Sequence, residues 1–176
     1  MKNKAGYFPA FLIAALLAVW PVYGYTANAN KYLEEAESHL VRGEYSAAVI
    51  QLKNALLLEP ENAKAQLLLG TVYIEAGEGA LAEKAISQAR TLGVPREDWL
   101  VPLGRAYLIS RRHQSVLDEI KPEAGDSSDL QAEIMVVQGQ ALLGLRQPVA
   151  ADEKFIAALE LRPGYPAALL GRARIA

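Results

Sequence analysis

The sequence contains no cysteine, so disulfide bonds, thiolate metal sites and cysteine nucleophiles are excluded together. Histidine is almost as scarce. His39 and His113 are the only two, and neither lies in a metal-binding spacing such as H-E-x-x-H. A G-x-S-x-G nucleophile elbow and a glycine-rich phosphate loop followed by lysine are also missing. These absences predict a protein that is not an enzyme and that uses no metal and no cofactor.

The sequence also has only a small excess of one charge over the other and few aromatic side chains. The formal net charge is −2, and Phe, Trp and Tyr make up 7% of the residues. A surface without excess positive charge is unsuited to following phosphates, so nucleic acid is not predicted as a partner. Alanine and leucine are abundant, which favours helices packed through small and medium side chains over a strand-rich core. The composition therefore predicts an all-α protein.

The long apolar run that a membrane-spanning helix needs is missing as well. The continuous run Phe11–Trp20 follows two lysines and ends at a proline, whereas a span takes about 20 apolar residues. This arrangement predicts a signal peptide over residues 1–24, with cleavage after Gly24 or after Ala29. The alternative is an uncleaved anchor, which would associate the chain with the membrane through this segment. Export to the periplasm or the cell envelope is expected.

One stretch, Gly43–Pro60, shows how the rest is organised. Its sequence, GEYSAAVIQLKNALLLEP, predicts a helix that starts after a Gly-x-Tyr turn and is stopped by the proline. Ala48, Leu52 and Ala55 are spaced four and three apart, so they form one stripe on this helix. Because two of the three are alanines, a second helix can approach the stripe closely.

The same spacing recurs with a period of 34 residues. A period of this length, with small, aromatic, glycine, alanine and proline residues at fixed offsets, is the tetratricopeptide pattern. The small residue of each first helix lets the paired helix press in, and the proline ends the second helix. These small residues are Ala36, Gly70, Gly104 and Gly139. The predicted fold is a right-handed α-solenoid of about four to five helix-turn-helix repeats, preceded by a signal-peptide helix.

The repeat array is predicted to occupy residues 29–176. Its units are 29–62, 63–96, 97–131, 132–165 and a partial fifth, 166–176. Each full unit contributes two helices, and the partial unit contributes one. The helices are expected near 31–42, 46–58, 63–76, 80–92, 97–110, 113–121, 128–144, 148–161 and 166–176.

The third unit departs from the pattern. Its second helix is short, and residues 121–129, KPEAGDSSD, are rich in turn formers. The array is therefore expected to bend or loosen there, with Ser128 or Asp129 capping the next helix. His113 lies in the basic turn before the short helix and is expected to be solvated. His39 replaces the tyrosine of the later repeats and is expected to pack with its ring satisfied.

The last segment, PAALLGRARIA, reads as the first helix of a fifth unit without its partner. Leu169, Leu170 and Ile175 would then have no following helix to pack against, and no polar capping helix follows. Either the chain is the front piece of a longer array or this helix docks onto something else, and the first interpretation is favoured.

The surface most suited to binding is the concave one, which the first helices line. In tetratricopeptide arrays the second, fifth, ninth, twelfth and thirteenth positions of each unit tend to face it. Here two apolar ribs flank a polar row, which suits an extended peptide or an amphipathic helix. The alternative is that the aliphatic residues only join neighbouring first helices. The predicted groove residues are Leu33, Leu67, Val101 and Val136 at the fifth positions, Glu37, Thr71, Arg105 and Gln140 at the ninth, and Leu40, Ile74, Leu108 and Leu143 at the twelfth.

Residues 31–120 resemble one family in particular. The segments AVIQLKNAL and AEKAISQARTLGV are similar to the start of the tetratricopeptide lipoproteins of the PEP-CTERM/exosortase system. This resemblance implies a periplasmic, membrane-tethered and non-catalytic protein of many repeats, linked to exopolysaccharide production and the sorting of exported proteins. Members carry a lipid-modified cysteine at the cleavage site, where this chain has Tyr25, which argues against a lipid anchor.

Together these features predict an exported scaffold that binds a protein or peptide partner in the groove, within an envelope, exopolysaccharide-secretion or protein-sorting assembly. A clamp for a C-terminal carboxylate is disfavoured, because Arg105 is the lone cation of the polar row. The alternative is a module that binds polysaccharide. Sugar platforms need exposed aromatic rings, however, and Tyr73 and Tyr107 are expected in the core.

Overall fold

The computed structural model describes residues 28–175, which form helices joined by short turns without a β-strand among them. The predicted signal peptide, residues 1–24, lies outside the described residues. The helices are α1 (Ala29–Val41), α2 (Tyr45–Leu58), α3 (Ala63–Glu75), α4 (Gly79–Thr91), α5 (Arg96–Ile109), α6 (His113–Glu119), α7 (Ser128–Gly144), α8 (Pro148–Leu161) and α9 (Pro166–Ala173). In this part of the chain, none of them combines the length and apolar character needed to cross a membrane. The all-α prediction is confirmed.

The helices pack as hairpins that follow one another along the chain. α1 packs on α2, α3 on α4, and α7 on α8, while the first helices α3, α5, α7 and α9 contact one another in sequence. The predicted helix bounds are within two residues of the observed ones, except at the end of α9. That helix ends at Ala173, where the last turn tightens: the N–H groups of Arg174 and Ile175 bond to carbonyl oxygens three residues back, those of Gly171 and Arg172.

The paired helices approach each other at the predicted small residues. A Cβ atom on Gly70 would overlap the side chain of Ile86 on the partner helix, and one on Gly104 would lie 3.2 Å from Cγ1 of Ile120 at the end of its partner helix α6. Ala36 holds the equivalent place in the first unit and is fully buried. The packing role of these residues is therefore confirmed, since a larger side chain there would push the helices apart.

The loop after α6 is held by hydrogen bonds from both flanking helices, which contradicts the expectation that the array loosens there; the alternative, that it bends, stays a prediction. Arg96, at the start of α5, donates hydrogen bonds to Oδ1 of Asp126 and to the carbonyl oxygen of Lys121, each at 2.6 Å. From the other side, the buried Gln138 amide donates to the carbonyl oxygen of Ile120 at 2.7 Å. The turn-forming residues thus supply oxygen acceptors that side chains of the flanking helices engage.

The N-terminal cap of α7 is Ser127, so neither Ser128 nor Asp129 caps the helix as predicted. Ser127 has extended backbone angles, and its hydroxyl oxygen accepts the N–H of Leu130 at 3.2 Å. Ser128 is already the first helical residue. Residues 126–129 are four successive capping residue types, so the sequence alone does not select one of them.

The two histidines differ in their agreement with the predictions. His39 satisfies its ring as expected, with Nδ1 hydrogen-bonded to Oε2 of Glu44 at 2.5 Å. The prediction that His113 is solvated is wrong, because its ring lies against Gly144, where a Cβ atom would overlap it. Its Nδ1 is buried and has no hydrogen-bond partner among residues 28–175. The missing side chain at position 144 provides the space for this ring.

Tyr107 joins the two helices of the third unit through a hydrogen bond from its hydroxyl to Oε2 of Glu119 at 2.9 Å. Burial, and next this hydrogen bond, raises the pKa of Tyr107 to about 12. An unfolded chain ionises tyrosine near pH 10. The neutral side chain therefore contributes stability that is fully present below about pH 10 and is lost as the pH rises towards 12.

We expect the tyrosinate absorbance titration of the folded protein to contain a step near pH 12. Tyr107→Phe should remove that step and leave the steps of the other tyrosines in place. Circular dichroism recorded across the same pH range would establish that the chain is still folded. An unchanged high-pH step in the Phe variant would contradict the assignment.

Candidate functional site

An open groove runs across successive first helices and has a volume of about 360 Å³. Residues of α3, α5 and α7 form its floor and sides, and the start of α9 closes one end. We call this surface the inner groove. Its lining consists of Ile74, Val101, Arg105, Leu108, Ile109, Glu133, Val136, Val137, Gln140, Tyr165 and Ala167.

Six of the predicted groove residues lie together in the inner groove. Val101 and Val136, at the fifth positions, are buried in its floor, whereas Arg105 is exposed. Each neighbouring first helix presents the same repeat positions, because the hairpins stack in a constant register. The six are Ile74, Val101, Arg105, Leu108, Val136 and Gln140.

The other six predicted residues lie outside this groove. Glu37 forms an ion pair with Lys64 at 2.9 Å, and the hydroxyl of Thr71 donates to the carbonyl oxygen of Leu67 at 3.1 Å. The remaining four are aliphatic and belong to the packing between helices. They are Leu33, which is buried, and Leu40, Leu67 and Leu143, which pack against the core. For these four the packing interpretation accounts for the contacts that the structure shows.

The electrostatics of the inner groove are mixed. Arg105 is exposed. Within residues 28–175 it forms no ion pair, whereas other arginines do. Burial raises the pKa of Tyr165, Glu133 raises it further, and Arg105 and Arg162 lower it. One cation, one carboxylate and one hydroxyl thus face the same groove. A ligand that is apolar along most of its length and carries a polar or charged group would match this lining.

Five lining residues were not predicted: Ile109, Glu133, Val137, Tyr165 and Ala167. Three of them occupy repeat positions that face the groove in arrays of this kind, with Glu133 and Ala167 at second positions and Ile109 at a thirteenth. The repeat register could have found these three. Tyr165 lies in the turn before α9, where the periodic pattern carries no signal.

The comparisons with known proteins agree with this geometry. The fold is that of a helical-hairpin repeat protein with a groove across its first helices. Residues 33–102 match the model of the tetratricopeptide repeat family. The helical hairpins of residues 28–175 form the solenoid fold that the 34-residue period predicts.

Two solved structures share this fold. One is described as the crystal structure of MamA protein, with 17% identity, a TM-score of 0.66, and coverage of 84% of this chain and 80% of that one. The other comes from the functional characterization of Pseudomonas aeruginosa pilF, with 22% identity, a TM-score of 0.65, and coverage of 84% and 67%. Comparison with curated protein sequences gives no significant match.

Proposed function

We propose that this protein is a non-catalytic scaffold whose inner groove binds a segment of a protein partner. One observation supports this most directly: equivalent positions of α3, α5 and α7 meet in one open groove of about 360 Å³. Its floor is apolar, and polar groups stand along it at the spacing of the repeats. Such a surface suits an extended peptide or an amphipathic helix, whose apolar side chains recur at intervals.

Polysaccharide is the weaker candidate ligand. Tyr73 and Tyr107 are 8% and 4% exposed, so their rings offer no platform for a sugar. Tyr165 does line the inner groove, but the guanidinium of Arg162 lies 4.4 Å from the centre of its ring and covers one face. A single half-covered aromatic ring is a poor sugar platform, so the aromatic side chains favour a protein ligand.

The proposed setting is the bacterial envelope, in exopolysaccharide secretion or the sorting of exported proteins. Two features of the sequence support it: the signal-peptide pattern of residues 1–24 and the resemblance of residues 31–120 to the PEP-CTERM lipoproteins. N-terminal sequencing of the protein recovered from the periplasm should begin at Tyr25 or Asn30. An intact terminus at Met1 or Lys2 would contradict cleavage.

The groove is tested by reversing the charge of its exposed cation. We expect Arg105→Glu to weaken capture of the partner from an envelope extract by about tenfold or more. A partner group that the positive charge of Arg105 attracts would be repelled by the carboxylate of glutamate. Arg174→Glu makes the same change at an exposed position outside the groove and should bind as wild type. Equal losses in the two variants would contradict the groove. Saturable binding of purified polysaccharide with no protein captured would favour the alternative function.

A further inference from the structure

A second hollow surface lies between the second helices α2 and α4. It consists of two adjoining cavities of about 300 and 440 Å³, which share Lys53, Tyr73 and Leu81 in their walls. We call this surface the outer cleft. It uses a different face of α3 from the inner groove: Gln66, Leu69 and Tyr73 face the cleft, whereas Ile74 faces the groove. Since adjacent helical residues are rotated by about 100°, the two surfaces are separate.

The next repeat shows what fills the equivalent place. In the third unit the hydroxyl of Tyr107 donates to the carboxylate of Glu119 on α6. Tyr73 is the residue 34 positions earlier, and the residue that corresponds to Glu119 is Ala85. Both Tyr73 and Ala85 line the outer cleft. The second unit thus repeats the tyrosine but has a methyl group where the third unit has the carboxylate, and both residues line a cavity of about 300 Å³.

The charges around the outer cleft favour an anionic group in that cavity. Lys53 and Lys84 line it and are exposed. The lysine ion pairs within residues 28–175 are formed by Lys31 and Lys64, so neither cleft lysine is neutralised by an acid of the described chain. Glu78 is the acid that lines the outer cleft, and it belongs to the cavity that does not include Lys84.

The rim of the outer cleft is apolar. Ile50 and Leu81 are 59% and 45% exposed, although both are large aliphatic side chains. They lie on neighbouring second helices, so an incoming helix would contact both. An amphipathic segment with acidic side chains beside its apolar face is complementary to this combination of exposed aliphatics and free ammonium groups.

We propose that the outer cleft is a second docking surface, which binds an acidic amphipathic helix of a partner protein. A glutamate or aspartate of that helix takes the place that Glu119 has in the third unit. It accepts the hydrogen bond of the Tyr73 hydroxyl and pairs with Lys84 or Lys53, while its apolar neighbours cover Ile50 and Leu81. The outer cleft is separate from the inner groove, so an experiment that contradicts one of the two proposals leaves the other standing.

The test uses a fluorescent helical peptide with leucines on one face and glutamates flanking them, and the same peptide with every glutamate replaced by glutamine. Fluorescence anisotropy should show saturable binding of the acidic peptide, at least about tenfold tighter than that of the glutamine peptide. Binding should weaken with added salt. Equal affinity for the two peptides, or no binding of either, would overturn the proposal.

The decisive variant copies the third unit. Ala85→Glu places a carboxylate where Glu119 stands, so it should occupy the cavity from within, satisfy Tyr73, and weaken peptide binding by about tenfold or more. Ala173→Glu adds the same charge at an exposed position of α9, outside the cleft, and should bind as wild type. Equal losses in these two variants would show a general charge effect and overturn the site.

Two further measurements keep the proposal falsifiable if Ala85→Glu fails to fold. Lys53→Gln combined with Lys84→Gln changes only exposed side chains and should lower the affinity at least about fivefold, whereas Lys64→Gln should not. The second measurement tests binding to vesicles of phosphatidylglycerol and phosphatidylcholine. Vesicle binding that competes with the peptide and exceeds it in strength would assign the surface to a membrane and overturn the proposal.

Discussion

Replacing Phe155 by alanine is expected to lower the free energy of unfolding by about 3–5 kcal/mol. Phe155 is fully buried, and its ring lies between two glycines of different helices. A Cβ atom on Gly139 would be 2.6 Å from Cε1 of the ring, and one on Gly171 would overlap the same ring. The backbones of α7 and α9 therefore form the walls of this site. Backbone walls collapse poorly into a cavity, so the loss should be near the upper end of the range.

Ile156→Ala is the matched control for this prediction. Ile156 is the next residue of α8 and is 38% exposed, so its truncation should cost about 1 kcal/mol or less. Chemical denaturation monitored by circular dichroism would give both values. Similar losses for the two variants would show that the Phe155 ring is not the element that joins α8 to α7 and α9.

The fold was readable from the sequence because its determinants repeat. Gly70 and Gly104 stand 34 residues apart, and each is followed in its own unit by the aliphatic residue that packs against it, Ile86 and Ile120. Contacts of this kind join residues in one hairpin, so they recur with the 34-residue period. The repeat register also predicted six residues of the inner groove.

The features that were missed join residues across units or depend on one irregular turn. Arg96 and Asp126 are 30 residues apart and lie on either side of the short α6. His113 depends on the absence of a side chain at Gly144 of the next helix pair. Tyr165 enters the inner groove from a turn. The approach of His113 to Gly144 repeats that of Gly79 to Ser110, 34 residues earlier, but the glycine lies on the other helix, so the residue pattern did not indicate it. The contacts of Arg96 and Tyr165 do not follow the 34-residue period.

The second and third units show how the replacement of one larger side chain by alanine can provide a binding site in one repeat. Tyr73 and Tyr107 occupy the same position, but in the third unit Glu119 accepts the hydrogen bond of the tyrosine, whereas in the second Ala85 lines an open cavity. The scaffold is unchanged, because Ile86 and Ile120 remain fully buried beside these positions. A repeat array can thus differ in binding capacity between units while its core keeps one pattern.

Replacing Arg96 by alanine is expected to lower the free energy of unfolding by about 2 kcal/mol or more. The guanidinium pairs with Asp126 at 2.6 Å and with Glu123 at 3.2 Å, and it also satisfies the carbonyl oxygen of Lys121. The Asp126 side chain is only 10% exposed, so removal of Arg96 leaves a carboxylate in a poorly solvated place. Lysine should restore little, because one ammonium group cannot reproduce the planar fork that reaches these acceptors.

The effect should be concentrated in the loop that Arg96 holds. Hydrogen exchange of the amides in residues 121–127 should become faster in Arg96→Ala, while that of α3 and α4 should stay as in wild type. Lys64→Ala removes an ion pair whose side chains are far more exposed, at 70% and 46%, and should cost less than about 1 kcal/mol. An Arg96→Ala variant with wild-type stability and unchanged exchange in this loop would show that the turn sequence and the hydrogen bond from Gln138 suffice to hold it. In that case, the loop would keep its geometry without a link to α5.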